Sequence, residues 1–435
     1  MLSPADADML WQSETTPNDQ FLLYCFAAEG LSVGLAAAAE QLKARAAAIA
    51  DLGLRVCPVP GGLDYPRWTP APVDDDQFRI HPGARDWQEC LDAVCAEMNS
   101  QLDAQVHTWR VHLYGPVGGV PGAAGDALVA VFQVSHALGD GRRASTLARE
   151  LFGGDAAGAG GQRRNVAPRR LAPVAGALKL MPQIGAAAGL GLVAARRSAR
   201  CTDPAGRSPM PATSLNTAPG PERVLRTLTV DAGRLCFGGQ SVTAGAIVVI
   251  GRALSAYLGD DVGAVELTIG REPDPIARNN FFTASIGTHL HDVDRSVGAA
   301  AVAADIAAAR RRDGSAGRIA ARRAARRTPA VLERLGVRLS ANAPQPVLMS
   351  GATVVSSVNR GAGDLRLTGL PVLFTAGFPA LSRVHSLTHG VHGIGGAVTI
   401  SVHASTSAMP DVDRYAALLK ECMRSGRAPA YRPEA

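Results

Sequence analysis

Hydrophobic and polar positions mark out a succession of elements along the chain. Residues 127–134 form an apolar run rich in valine with one phenylalanine, the pattern of a buried strand. Residues 106–114 predict a second strand, and the Gly/Pro-rich stretch 115–125 a hairpin-like loop joining the two. Beyond position 134, Ala144, Leu147, Ala148 and Leu151 recur at i, i+3, i+4 and i+7. That spacing predicts an amphipathic helix, ended by Gly153-Gly154. Further helices are expected at 31–50, 86–101, 243–258 and 299–312, and over Tyr415, Leu418, Leu419 and Cys422 after Pro410-Asp411. Strands are expected at 223–230, at 265–269 and within 347–358. Val398, Ile400 and Val402 alternate with Thr399, Ser401 and His403, the mark of a half-buried strand.

Strands and helices mix without regular β-α-β alternation, which predicts an α+β fold of mixed sheets with packed helices. At 435 residues the chain exceeds the size at which a single core keeps growing, so two halves are expected. The composition changes between about 153 and 220, where Gly, Ala, Pro and Arg dominate. Residues 180–195 carry no charge, yet Pro182 and several glycines interrupt them and Lys179 and Arg196-Arg197 flank them. Such a segment is too short and broken for a bilayer span and suits an interfacial or linker helix. The expected division is an N-terminal half at 1–155, a crossover linker at 156–212 and a C-terminal half at 213–435.

Hydrophobic content is 47% with only 5% aromatics, so the core must be built largely from small residues. Seven scattered cysteines, odd in number and without a C-x-x-C pair, suggest neither a zinc site nor a disulfide framework. A reduced cytoplasmic setting is expected, and Asp6, Asp8 and Glu14 disrupt any signal-peptide pattern. His385, His389 and His392 lie in glycine-rich surroundings that read as a loop with solvated imidazoles, and no metal is expected. The net charge of +6 is carried almost wholly by arginines, clustered at 163–200 and 310–327. Three readings stand beside one another: a solvated basic helix face, attraction of coenzyme A phosphates, or attachment to an anionic membrane. The basic runs lack interleaved aromatics, and no nucleic-acid partner is expected.

The chemistry concentrates at the end of the run 127–134. His136 precedes Asp140 by four residues, with Gly139 and Gly141 on either side of the carboxylate. A titratable imidazole thus sits where a strand gives way to a turn, and histidine suits proton transfer near neutrality. The alternative is a surface turn whose His caps a carbonyl and whose Asp caps the next helix. No G-x-S-x-G elbow or reactive-cysteine context is present, so direct attack with His136 as general base is the economical chemistry.

The His136-x-x-x-Asp140-Gly141 segment resembles the H-H-x-x-x-D-G signature of the bacterial wax ester synthase/acyl-CoA:diacylglycerol acyltransferase family. Leu2-Ser3-Pro4-Ala5-Asp6 is similar to its opening L-S-P-x-D, and Pro66-Arg67-Trp68, Leu102-Asp103 with Trp109, and Leu215-Asn216 with Gly220 and Arg223 resemble later blocks in order. Ser356-Ser357-Val358, Ala376-Gly377 and Gly393-Ile394-Gly395 are similar to the last blocks. Three departures stand out: Ser135 replaces the first His of the pair, His107-Thr108-Trp109 keeps only the Trp of P-L-W, and Val242-Thr243-Ala244 replaces Val-Asn-Asp. The resemblance implies two chloramphenicol-acetyltransferase-like halves around a tunnel, joined by the crossover linker. It also implies acyl-CoA as substrate rather than a cofactor, and a fatty alcohol or diacylglycerol as acceptor. A peripheral membrane or lipid-droplet surface is an expected further partner. His136 and Asp140 are the expected catalytic pair, with Asp140 shaping the turn through an arginine, and Ser135, Gly141, Trp109 and Thr243 the expected substrate contacts. Another condensation-type acyltransferase using carrier-bound donors, or a catalytically degenerate lipid-binding protein, remain as alternatives.

Overall fold

Two six-stranded mixed sheets carry the chain in a computed structural model that describes residues 1–28, 34–153, 182, 184–186, 188–197 and 206–424. The first half contains α1 (Pro4–Ser13), β1 (Gln20–Ala27), α2 (Leu35–Ala48), β2 (Leu54–Cys57), β3 (Arg67–Pro70), β4 (Phe78–Asp86), α3 (Trp87–Glu97), β5 (Trp109–Gly118), β6 (Ala127–Val134) and α4 (Gly141–Phe152). A helical stretch at 188–197 (α5) and the short β7 (Met210–Pro211) follow. Next come β8 (Arg223–Asp231), α6 (Val242–Leu258), β9 (Ala264–Gly270), β10 (Phe281–Gly287), α7 (Arg295–Asp313), α8 (Ala316–Ala325) and α9 (Ala330–Ala341). The chain closes with β11 (Leu348–Met349), β12 (Val354–Asn359), β13 (Arg366–Leu367), β14 (Leu370–Phe378), β15 (Leu387–Ile394), β16 (Ala397–Ser405) and α10 (Val412–Arg424).

The first sheet runs β13-β14-β1-β6-β5-β4 and the second β10-β9-β12-β15-β16-β8. Most neighbours are antiparallel, whereas β4 with β5, β12 with β15 and β12 with β9 are parallel. The mixed α+β architecture agrees with the sequence pattern. Strand β14 lies within the expected C-terminal half, yet it pairs with β1 from Phe21↔Phe378 to Phe26↔Val372. The second half therefore lends a strand to the first sheet. The expected linker lies mostly outside the described residues.

Burial explains why the elements form where they do. Every residue of β6 is buried, as its apolar run, interrupted only by Gln133, requires of a central strand. Helix α6 is buried continuously from Ala244 to Leu254, a helix clothed on all sides. It opens on the Ser241 hydroxyl, which accepts from Ala244 N, and closes on Gly259 at φ 72°, a left-handed cap that favours glycine. Each large aliphatic side chain withdrawn from water on this helix contributes about 1.5–3 kcal/mol.

Two expectations are corrected. His389 and His392 lie on β15, buried, and His385 is buried just before it, so the solvated loop does not exist. His389 Nδ1 meets Thr353 Oγ1 at 3.0 Å and its Nε2 meets Tyr415 Oη at 2.7 Å, which makes the buried ring tolerable. Strand β16 is buried on both faces rather than half-buried, because its polar face is covered and bonded. Thr399 meets Thr229 Oγ1, Ser401 donates to Gly377 O, and His403 Nδ1 donates to Pro379 O.

Candidate active site

Strand β6 ends at Val134, and the chain makes a single helical turn at His136–Leu138 before α4 begins at Gly141. Gly139 permits that change of direction. Its φ is +156°, and a Cβ there would come within 2.6 Å of Arg143 Cβ. Asp140 then caps α4, its Oδ1 accepting from Arg142 N at 3.1 Å and Arg143 N at 3.0 Å. Its Oδ2 accepts from Asn280 N at 3.1 Å, and Asp140 N donates to Arg278 O. The carboxylate thus works through backbone amides and not through an arginine side chain.

Asn280 belongs to a loop of the second half, and that loop supplies a residue the sequence did not single out. Asn279 Oδ1 lies 2.9 Å from His136 Nδ1. Asn279 Nδ2 donates to His136 O at 2.8 Å and to Asp6 Oδ1 at 3.0 Å. Both of those partners are acceptors only, so the amide can point only one way and its oxygen faces the imidazole. His136 Nδ1 therefore carries the proton and donates it, leaving the Nε2 lone pair free. Asp6 secures the asparagine in turn: it also accepts from Asn279 N, Arg278 N and the Ser3 hydroxyl. A spacing signal could not have found Asn279, which is 143 residues from His136.

His136 lines a cavity of about 870 Å³ between the two sheets, together with Gln20, Gly141, Phe281, Ser356 and Ser357. Its ring lies tilted against Phe281 at 5.8 Å. Burial pushes the imidazole pKa below its ordinary value, while Asn279, Asp140 and Asp6 oppose the shift. The neutral ring is the form present at neutral pH. Arg360 and His392 also line the cavity and are buried. Arg360 donates to Thr375 Oγ1 and Ala376 O and stacks over the Tyr24 ring, with no carboxylate partner among the described residues.

A second cavity of about 1610 Å³ meets the first at Asp140 and Arg142, which line both. Its walls are basic, with Lys43, Arg67, Arg142, Arg143 and Arg278 among them. Burial would raise the Asp51 carboxyl, but Arg278 and Arg143 hold it below the usual range. Arg278 lies 4.9 Å over the Trp68 ring, and Leu2 N donates to Pro66 O. The segments 2–6, 66–68 and 136–141, far apart in sequence, thus gather around the loop 278–280.

The remaining expected contacts are relocated. Trp109 is fully buried in the core, its indole N–H donating to Leu52 O at 2.8 Å. Ser135 is buried with its amide donating to Thr108 O, and neither residue lines either cavity. Thr243 does not line them either. Its hydroxyl lies 2.7 Å from that of Ser357, which does, so Thr243 acts on the cavity through Ser357. Gly141 lines the first cavity, where a Cβ would stand 3.4 Å from Val358 Cγ2.

No family model and no curated protein matches the sequence. Solved structures do match over nearly the whole chain. The wax ester synthase/diacylglycerol acyltransferase from Marinobacter aquaeolei VT8 superposes with a TM-score of 0.65 at 17% identity, covering 98% of each chain. The trichothecene 15-O-acetyltransferase TRI3 from Fusarium sporotrichioides superposes at 0.57 and 13% identity, over 98% of this chain and 94% of that one. The starter condensation domain of rhizomide synthetase, solved with C8-CoA and Leu-SNAC, superposes at 0.53 and 12% identity, over 99% and 95%. The chain accordingly has the two-sheet fold of the CoA-dependent acyltransferases and condensation domains.

Proposed function

We propose that the chain is an O-acyltransferase that moves a long-chain acyl group from acyl-CoA to diacylglycerol or a fatty alcohol. The observation that carries this reading is the held tautomer of His136, with its Nε2 unprotonated in a cavity that meets a basic one at the same turn. The acceptor hydroxyl gives its proton to Nε2 as its oxygen attacks the thioester carbonyl. The tetrahedral oxyanion collapses with cleavage of the C–S bond, and the imidazolium returns the proton to the leaving thiolate. Ester and free coenzyme A result, with no covalent enzyme intermediate.

The parts have distinct tasks. Asn279 and Asp6 orient His136, and Asp140 holds the loop that carries Asn279. The Ser356 and Ser357 hydroxyls, in the cavity with His136, serve as oxyanion donors. The basic cavity suits the phosphates of coenzyme A, and the cavity lined by His136 and Phe281 the acyl chain and acceptor. Leu332, Leu335 and Leu339 stand exposed on α9, which also lines the first cavity, and this supports contact with a lipid surface as a peripheral cytoplasmic protein. Among the described residues no helix is long and apolar enough to cross a membrane.

Thiol release across alcohols, diacylglycerols and amines tests the reading. His136→Ala should keep its fold and lose coenzyme A release. An unchanged rate in that variant removes the mechanism, and turnover only with carrier-bound thioesters would move the chain to the condensation-type reading. Acyl-CoA binding without turnover with any acceptor would mark it as a lipid-binding protein.

A further inference from the structure

A second cluster of titratable groups lies at the edge strand of the first sheet and takes no part in the chemistry above. His81 on β4 and His112 on β5 bring Nε2 and Nδ1 to 3.3 Å of one another. Glu97, the last residue of α3, places Oε1 3.9 Å from His81 Nε2 and Oε2 3.7 Å from His112 Nδ1. From these residues we infer a binding site for a zinc-type divalent cation, held by His81, Glu97 and His112 and stapling the edge strand β4 to α3.

Two observations carry the inference. The first is the arrangement of donor atoms. A tetrahedral cation with ligands about 2.1 Å away requires donor-to-donor edges of about 3.4 Å. The two ring nitrogens already stand 3.3 Å apart, while Oε1 lies 3.9 Å from His81 Nε2 and Oε2 3.7 Å from His112 Nδ1, so the carboxylate must swing inward to set one oxygen beside both rings. Glu97 is partly exposed and ends its helix, so it is free to do so. Two imidazoles and one carboxylate are a donor set that zinc takes.

The second is the tautomer of His112. Gln133 Nε2 donates to Asp19 Oδ2 at 2.8 Å and Ser100 O at 2.7 Å, both acceptors. Its Oε1 therefore faces His112 Nε2, at 3.0 Å, and that nitrogen must carry the proton. The lone pair of His112 is thereby fixed on Nδ1, toward His81 and Glu97. Metal-bound histidines are typically prepared in this way, by an acceptor on the opposite ring nitrogen.

Local charge sets which ligand matters most. The guanidiniums of Arg79, Arg85 and Arg110 lie near the two rings. Those positive charges oppose a cation, which makes Glu97 the ligand on which affinity turns. Its carboxylate stands at the negative end of α3, where a cation is favoured.

The test uses the full chain, stripped with a chelator and then given zinc alone. One zinc ion per chain should survive gel filtration, and the melting temperature should rise on its addition. Glu97→Gln and His81→Ala should each bind zinc at least about tenfold more weakly. Asp92→Asn, on the exposed side of α3, should bind as the parent does. Glu97→Gln keeps the side-chain volume and decides the matter if His81→Ala fails to fold. Zinc uptake that is absent in the parent, or equal in the parent and Glu97→Gln, overturns the inference. In that case the two rings share only a hydrogen bond.

Discussion

Replacing Asn279 by alanine separates the orientation of His136 from its identity. The substitution removes the acceptor of the Nδ1 proton at 2.9 Å and leaves that buried donor without its partner. Losing a buried hydrogen bond of this kind costs about 1–3 kcal/mol. If that loss falls on the transition state, kcat drops roughly 5- to 150-fold, at about 1.4 kcal/mol per tenfold. The asparagine is neutral, so the effect is smaller than removal of a triad carboxylate, which costs about 10⁴-fold. The pH profile gives the independent readout. Asn279 raises the His136 pKa against the lowering by burial, so its removal lowers that pKa further. Activity needs the neutral ring and is lost as pH falls through its pKa. The acid limb of kcat/KM, already below the ordinary histidine value, should therefore move to lower pH while the plateau falls. Initial rates of thiol release over a range of pH measure both. A plateau equal to that of the parent, or an acid limb displaced upward, would refute the argument that Asn279 holds the base.

Asp140→Asn replaces an acceptor of three backbone amides by a group with one acceptor oxygen, so it should cost about 1 kcal/mol in urea denaturation and also slow turnover by loosening the 278–280 loop. Loss of activity with the loop and stability intact would instead make Asp140 a chemical participant. Arg142→Ala should raise the KM for acyl-CoA about fivefold, the worth of roughly 1 kcal/mol for a solvated phosphate contact, and by less at high salt. A KM unaffected at every salt concentration argues against phosphates in the basic cavity. Stability should fall between pH 6.5 and 4, because His112 and His403 are lowered to about 4 and His389 to about 3. In that window the unfolded chain takes up protons that the folded chain refuses, at about 1.4 kcal/mol per histidine per pH unit. Asp19, raised to about 6 chiefly by burial, has the opposite sign and offsets part of the loss. Chemical denaturation at pH 7 and pH 5 checks it, and equal stabilities would contradict the buried neutral rings.

The strand-turn-helix around His136 was legible because each part has a local cause. A valine run spells a strand covered on both faces, the glycine follows a reversal, and the helix keeps its apolar period. The polar neighbours were not legible. Asn279 follows a Pro- and charge-rich loop, and nothing near it in sequence says that it will meet an imidazole from the other half. The same blindness turned β15 into a supposed loop. His389 is satisfied by Thr353 and Tyr415, 36 and 26 residues away, and a sequence window shows the polar ring without the groups that compensate it. Alternation in β16 was real, yet the face it marked as polar is covered by a strand that belongs to the other sheet's register. Trp109 kept its place in the resembling block but serves the core, since its indole is enclosed and its N–H spoken for.

The loan of β14 has a consequence for how the molecule is made. As the chain leaves the ribosome, β1 emerges some 350 residues ahead of β14, the neighbour that covers one of its edges. Thr375 Oγ1 donates to Leu23 O across 352 residues of sequence. Until then Tyr24 and Phe26 sit beside a row of unclaimed amides and carbonyls, an edge able to recruit a stray strand. Completion of the first sheet thus waits on the 352 residues between these two groups, and a nascent chain halted among them would be left with a sticky seam.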